Sequence, residues 1–94
     1  MNLGFIGTGN IVSDVIIGIS KSKIRYKKII ISPRNKKKAL YLKKYFKKVI
    51  IAKNNQEVIN KANWVFLGIL PKVGEAILPK LQFRNKQIIV SFMS

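Results

Sequence analysis

The sequence predicts an α/β fold, a parallel sheet of about five strands with helices on both faces. Three observations carry that expectation. Short apolar runs alternate with segments of helical spacing in the order β-α-β-α-β-α-β-α-β, with short connections between them. The second apolar run contains three consecutive isoleucines, which suits a strand buried on both faces. A glycine pair, Gly7 and Gly9, stands where the first apolar run meets the first helical segment. No linker, low-complexity stretch or solenoid repeat interrupts the pattern, so residues 1–94 are expected to form one domain.

Taken in order, residues 3–6 read as a buried strand ending at Gly7. Gly4 within it marks a place where a neighbouring element comes close. Asn10 is placed to cap the next helix, its side chain accepting from an early backbone N–H. Ile11, Val15, Ile16 and Ile19 follow at helical spacing, and Asp14 falls in or just after the first turn, where the helix dipole favours an acid. Residues 27–32 form the second strand, broken by Pro33-Arg34-Asn35. Over residues 35–48, Ala39, Leu42 and Phe46 make one stripe with Tyr45 beside it, and lysines cover much of the remainder, which predicts an amphipathic helix. Residues 49–52 are the third strand, and a short helix capped by Asn54 or Asn55 follows. Residues 64–69 form the fourth strand, ended by Pro71. A short helix over 73–78 is stopped by Pro79, and residues 87–92 form the fifth strand.

Composition excludes much chemistry. The 94 residues are 48% hydrophobic, enough for a globular core with little margin. The chain has no cysteine, hence no disulfide scaffold and no thiolate chemistry. It has no histidine, which removes the commonest general base, the commonest metal ligand and every imidazole triad. The three acids, Asp14, Glu57 and Glu75, are a poor basis for paired-carboxylate hydrolysis or a metal cage. Neither a catalytic side chain nor a metal site is therefore expected.

The formal net charge of +16 suits phosphates, nucleic acid or anionic membranes. It also suits a composition rich in Lys, Ile and Asn, as AT-rich coding sequence produces, in which case the lysines spread over the solvent faces. No stretch reaches the roughly 18 apolar residues of a membrane span, and no leader pattern opens the chain. A cytoplasmic protein with no membrane partner is the expectation.

Gly7-Thr8-Gly9-Asn10-Ile11-Val12 fits G-x-G-x-x-X directly after a strand and at the start of a helix. In that setting Gly7 permits the tight turn, Gly9 lets a pyrophosphate approach the backbone, and the helix N-terminus offers free N–H groups to it. This is a Rossmann-like dinucleotide-binding arrangement. The third position, usually Gly or Ala, is Val12, which is expected to push the helix slightly outward. An acid at the end of the second strand would bind the ribose 2′-hydroxyl of NAD, but none occurs between Asp14 and Glu57. The strand ends instead in Ser32-Pro33-Arg34-Asn35-Lys36. Ser32 can donate to a 2′-phosphate, Arg34 can fork onto it or stack on adenine, and Lys36 adds charge. NADP is therefore the expected cofactor.

The stretches GFIGTGNIVSDVIIGI, ISPRNKKKA, ANWVFLGILPKV and QIIVSFMS, in this order and at these intervals, together resemble the N-terminal domain of pyrroline-5-carboxylate reductases over essentially the whole chain. NADP-binding domains of other imine reductases and of deazaflavin-linked reductases share much of the pattern. The resemblance implies that Gly7, Thr8, Gly9, Asn10, Ile11 and Val12 hold the pyrophosphate, and that Ser32, Arg34 and Asn35 hold the adenosine 2′-phosphate. It also implies that Asn55 approaches the adenosine side, and that Leu67, Gly68, Ile69, Leu70 and Pro71 pass under the nicotinamide ribose. Where the family usually reads Val-Lys-Pro, this chain reads Ile69-Leu70-Pro71, with Lys72 two residues beyond the lysine position. The implied reaction is hydride transfer from NADPH to the C=N carbon of a cyclic imine, in proline biosynthesis. The family continues into a helical C-terminal domain that forms the dimer and much of the substrate pocket. This chain is thus expected to be a fragment, a truncated product or a cloned domain that binds cofactor more readily than it turns over substrate, with a homo-oligomer expected of the full-length protein.

Two other readings stand beside this one. A basic α/β module could hold nucleic acid through its lysines, with Tyr41, Tyr45 and Phe46 among them. Those aromatics are expected to be core or boundary residues, and with no recognised motif present nucleic acid is not the expected partner. A regulatory NADP sensor without catalysis is the third.

Overall fold

The computed structural model describes residues 1–7 and 9–92. Strands β1 (Asn2–Ile6), β2 (Lys28–Ile31), β3 (Val49–Ile51), β4 (Trp64–Leu67) and β5 (Ile88–Ser91) form one sheet in the order β3-β2-β1-β4-β5. Every neighbouring pair is parallel. Helices α1 (Asn10–Lys21), α2 (Lys36–Tyr45), α3 (Asn55–Lys61) and α4 (Pro71–Ile77) connect them, with a 3-10 turn over Leu78–Lys80. The expected α/β architecture holds, with β1 one residue longer than its expected run and β2, β3, β4 and β5 slightly shorter than theirs.

Strand alternation divides the core between the two faces. Leu3 and Phe5 of β1 and Ile29 and Ile31 of β2 pack with Val12 and Ile16 of α1 and Ala39 and Leu42 of α2. Ile6, Ile30, Val65 and Leu67 face the other way, onto Val58, Ile59 and Ala62 of α3. The isoleucine triplet thus feeds both layers, each side chain contributing about 2–3 kcal/mol by burial. Gly4 confirms its close neighbour: a β-carbon there would lie 2.6 Å from Cβ of Ala62 and 2.7 Å from Cγ1 of Val58. A side chain at position 4 would lift α3 off the sheet.

Several local expectations change. The cap of α1 is Gly9, without a side-chain hydrogen bond, and Asn10 is the first helical residue. The bond from Ser13 N–H to Gly9 O starts the helix one residue earlier than expected. Asn54, rather than Asn55, caps α3, its Oδ1 accepting from Glu57 N–H at 2.9 Å. Pro71 opens α4 instead of merely ending β4, because the first helical position needs no N–H donor. Pro79 lies within the 3-10 turn. On α2, Tyr41 and Tyr45 are 52% and 61% exposed, so neither is a core or boundary residue, whereas Phe46 packs on the core. They form an i, i+4 pair on a different face from Ala39 and Leu42. On the edge strand β5, Ile88 and Ile89 are exposed.

The chain runs from β1 outward to β2 and β3, then returns to place β4 on the other side of β1. At that reversal, the segments following β1 and β4 diverge and leave a crevice beyond the strand ends, where open parallel sheets hold their ligands.

Candidate functional site

The crevice is built from three connections. Gly7 follows β1 with φ +99°, a backbone that L side chains rarely adopt. A β-carbon there would also collide with the carbonyl of Gly68 and lie 2.9 Å from Cγ2 of Ile69. The turn between β1 and α1 is therefore pressed directly onto the end of β4. Gly9 differs: its φ is −75°, and the space its β-carbon would fill is empty to 4 Å. Gly7 serves the fold, while Gly9 leaves room beside the first turn of α1. No side chain caps that turn, so its N–H groups are available to an anion.

Two joined cavities occupy the crevice. One, of about 470 Å³, is lined by Gly7, Gly9, Arg34, Asn35, Lys36, Gly68, Ile69, Leu70 and Val73. The other, of about 290 Å³, is lined by Gly9, Asn10, Ile11, Val12, Gly68, Ile69, Leu70, Pro71 and Phe92. They share Gly9, Gly68, Ile69 and Leu70, so together they make one elongated cleft over the glycine turn. One end is basic, through Arg34 and Lys36, and the other is largely apolar. No acid lines either part among the described residues. An extended ligand with a phosphate at the Arg34 end, phosphates over Gly9 and an uncharged ring near Ile69 and Phe92 fits this distribution.

Of the residues expected from the sequence, Gly7, Gly9, Asn10, Ile11, Val12, Arg34, Asn35, Lys36, Gly68, Ile69, Leu70 and Pro71 are brought together in the cleft. Thr8 lies outside the described residues. Leu67 is buried in the core against α3, and Asn55 lines neither cavity. Ser32 is fully buried, its Oγ accepting the N–H of Gly7 at 3.3 Å. It braces the glycine turn, and donation to a 2′-phosphate would require it to leave that packing. Asn35 caps α2, its Oδ1 accepting from Lys38 N–H at 3.2 Å.

Three further residues belong to the site. Val73 and Phe92 line it, brought in by the fold of α4 and the end of β5. Lys38 donates through Nζ to Oδ1 of Asn10 and so ties α2 to the start of α1. The only signal for Lys38 in the sequence was its place one turn into a helix after the basic loop. Val12 is not pushed outward, for it is fully buried with Cγ2 against Gly68. No cluster of metal-ligating side chains occurs among the described residues, and no described helix is long and apolar enough to cross a membrane.

Residues 2–94 match the family model described as NADP oxidoreductase, coenzyme F420-dependent. Among solved structures, the chain is similar to a 1-pyrroline-5-carboxylate reductase from Streptococcus pyogenes, with a TM-score of 0.80 and 31% sequence identity. That match covers 100% of this chain and 34% of the other, so the chain spans about a third of the length of that protein. No curated protein matches.

Proposed function

Because this chain belongs to the NADP oxidoreductase, coenzyme F420-dependent family, we propose that its cleft binds NADPH for a reductase acting on a cyclic imine. The observation that carries the reading is the cleft itself. A glycine turn with an empty space at Gly9 lies between a basic end at Arg34 and Lys36 and an apolar end at Ile69 and Phe92. When bound, NADPH supplies a hydride, which suits a chain without histidine, cysteine or paired acids.

The chain's own residues bind and orient. The first-turn N–H groups of α1 hold the pyrophosphate above Gly9. Arg34 forks onto the adenosine 2′-phosphate and Lys36 adds charge. Ser32 holds Gly7, and Lys38 holds Asn10, so both edges of the glycine turn are fixed before ligand arrives. Ile69, Leu70 and Phe92 offer an apolar floor to the nicotinamide end and keep water from it. The likeness to a pyrroline-5-carboxylate reductase supports pyrroline-5-carboxylate as substrate, with proline as product. In this reading residues 1–94 act as the dinucleotide-binding domain, and a helical domain supplies the substrate pocket and the contact between subunits. The family description favours one second reading, in which a deazaflavin takes the place of the imine.

Titration of the chain with NADPH and NADH at low and high salt tests the cofactor. Tighter binding of NADPH that survives salt is expected, and equal binding of both, or of neither, overturns it. Turnover of pyrroline-5-carboxylate with NADPH by the natural protein supports the imine reading. NADP-dependent turnover of coenzyme F420 instead moves the protein to the second.

A further inference from the structure

We propose that the outward face of α2, with the cleft beside it, binds single-stranded nucleic acid. Residues 15–56, which include α2, hold fourteen of the nineteen Lys and Arg residues and none of the three acids, and Lys43, Lys44, Lys47 and Lys48 stand at the C-terminal end of α2 and just beyond it. Composition alone would spread lysines over every solvent face. Two features of the sequence argue against nucleic acid, the lack of a recognised motif and the expectation that Tyr41, Tyr45 and Phe46 are core or boundary residues; the structure removes the second for the two tyrosines, while Phe46 packs on the core. Tyr41 and Tyr45 stand in solvent with ring centroids 4.8 Å apart, tilted by 48°. The Lys44 ammonium lies 5.5 Å from the centre of the Tyr45 ring.

Beside this pair is a cleft of about 260 Å³ between Tyr26 and Tyr45, walled by Ser20, Ile29 and Phe46 and edged by Lys47 and Lys48. Lys48 sits 4.6 Å from the centre of the Tyr26 ring and donates to the Tyr26 carbonyl at 3.2 Å. Ser20 Oγ is buried and has no hydrogen-bond partner among the described residues. Exposed aromatic rings interleaved with ammonium groups offer an unpaired base a stacking surface and its phosphate a counter-charge. An anionic lipid surface would match the charge but leave the rings, the cleft and the orphan hydroxyl unused. A duplex would match it too, but its bases are already stacked and out of reach of the tyrosines. Residues 20, 29 and 46–48 lie at the end of the sheet where β2 and β3 begin, opposite the glycine turn, so this site and the NADPH cleft can be filled independently.

Fluorescence anisotropy with a labelled oligo(dT) of about a dozen nucleotides, at several salt concentrations, tests the proposal. The wild-type chain is compared with a Tyr41→Ala/Tyr45→Ala variant. Both residues are exposed, so the variant should fold, and unchanged circular dichroism and NADPH affinity would verify that. The expected result is a loss of oligonucleotide affinity of about tenfold or more, with the salt slope unchanged because the phosphate contacts remain. Heparin, a polyanion without bases, should bind both proteins alike. Equal oligonucleotide affinity in both proteins overturns the proposal, leaving charge alone. Displacement of the oligonucleotide by saturating NADPH also overturns it, by placing the strand in the glycine cleft. So does tighter binding to phosphatidylserine vesicles than to oligo(dT). Failure here leaves the NADPH reading intact, since NADPH affinity is measured separately.

Discussion

Cγ2 of Val12 occupies the space that a β-carbon on Gly68 would need. The two residues lie fifty-six positions apart in sequence and meet where α1 crosses the end of β4. A bulky third residue in the glycine motif is thus accommodated by removing the side chain opposite it, and α1 stays on the sheet. Gly68→Ala should destabilise the fold by about 1–3 kcal/mol through overpacking. Val12→Ala alone should cost about 1.5 kcal/mol in lost burial. Combined, the two should cost less than their sum, because the smaller residue at 12 makes room for the methyl at 68. Urea denaturation midpoints of the four proteins give the coupling, and strict additivity would show that the contact is not tight.

The two glycines of the motif should separate by phenotype. Gly7→Ala places a side chain at φ +99° and against Gly68. It should cost more than about 1–2 kcal/mol of stability, the left-handed penalty alone. Gly9→Val puts its β-carbon in open space at an ordinary φ, so its stability cost should be that of a poorer helix cap alone, about 1 kcal/mol. NADPH affinity should nonetheless fall at least about tenfold, as the side chain fills the approach to α1. Differential scanning fluorimetry with and without NADPH reads both quantities. A Gly9 variant that binds normally would remove the pyrophosphate from this turn.

Arg34→Ala should weaken NADPH by about tenfold or more, the loss of a charge-assisted hydrogen bond worth about 1.5–3 kcal/mol, and leave NADH nearly unchanged. Arg34 is exposed, so stability should stay within about 0.5 kcal/mol. Arg34→Lys should restore only part of the affinity, since an ammonium lacks the planar fork. Calorimetric titration with both dinucleotides checks this, and a parallel loss for NADH would place Arg34 on adenine instead of the phosphate.

Ser32→Ala should behave unlike Arg34→Ala. It leaves the buried N–H of Gly7 without its partner, a cost of about 1–3 kcal/mol in stability. Any weakening of dinucleotide binding should then be equal for NADPH and NADH, because the loop moves as a whole. A selective loss of NADPH would instead mean that Ser32 leaves its packing to meet the 2′-phosphate.

Most of the cleft was legible because its signals are local. The turn chemistry of Gly7 and Gly9, the helix that follows and the acid-free loop after β2 are each read within a few residues. Val73 and Phe92 were not, since their place in the cleft depends on the course of α4 after β4 and on β5 pairing with β4. The position of Asn10 alone predicts a cap, yet its side chain accepts from Lys38, a residue on another helix. Tyr41 and Tyr45 were misplaced because an aromatic residue among lysines has the same sequence appearance whether or not something covers it.

By itself the sequence determined the alternation of strands and helices, the burial of the isoleucine triplet on both faces, the glycine turn and the basic, acid-free loop beyond β2. Each is set by period, backbone freedom or charge within a single segment. Tertiary structure alone decided the order β3-β2-β1-β4-β5, the fit of Val12 to Gly68, the use of Ser32 as a brace and the exposure of the tyrosine pair. The physical reason is that packing joins residues far apart in the chain, and which of them meet is fixed only when the strands have taken their places.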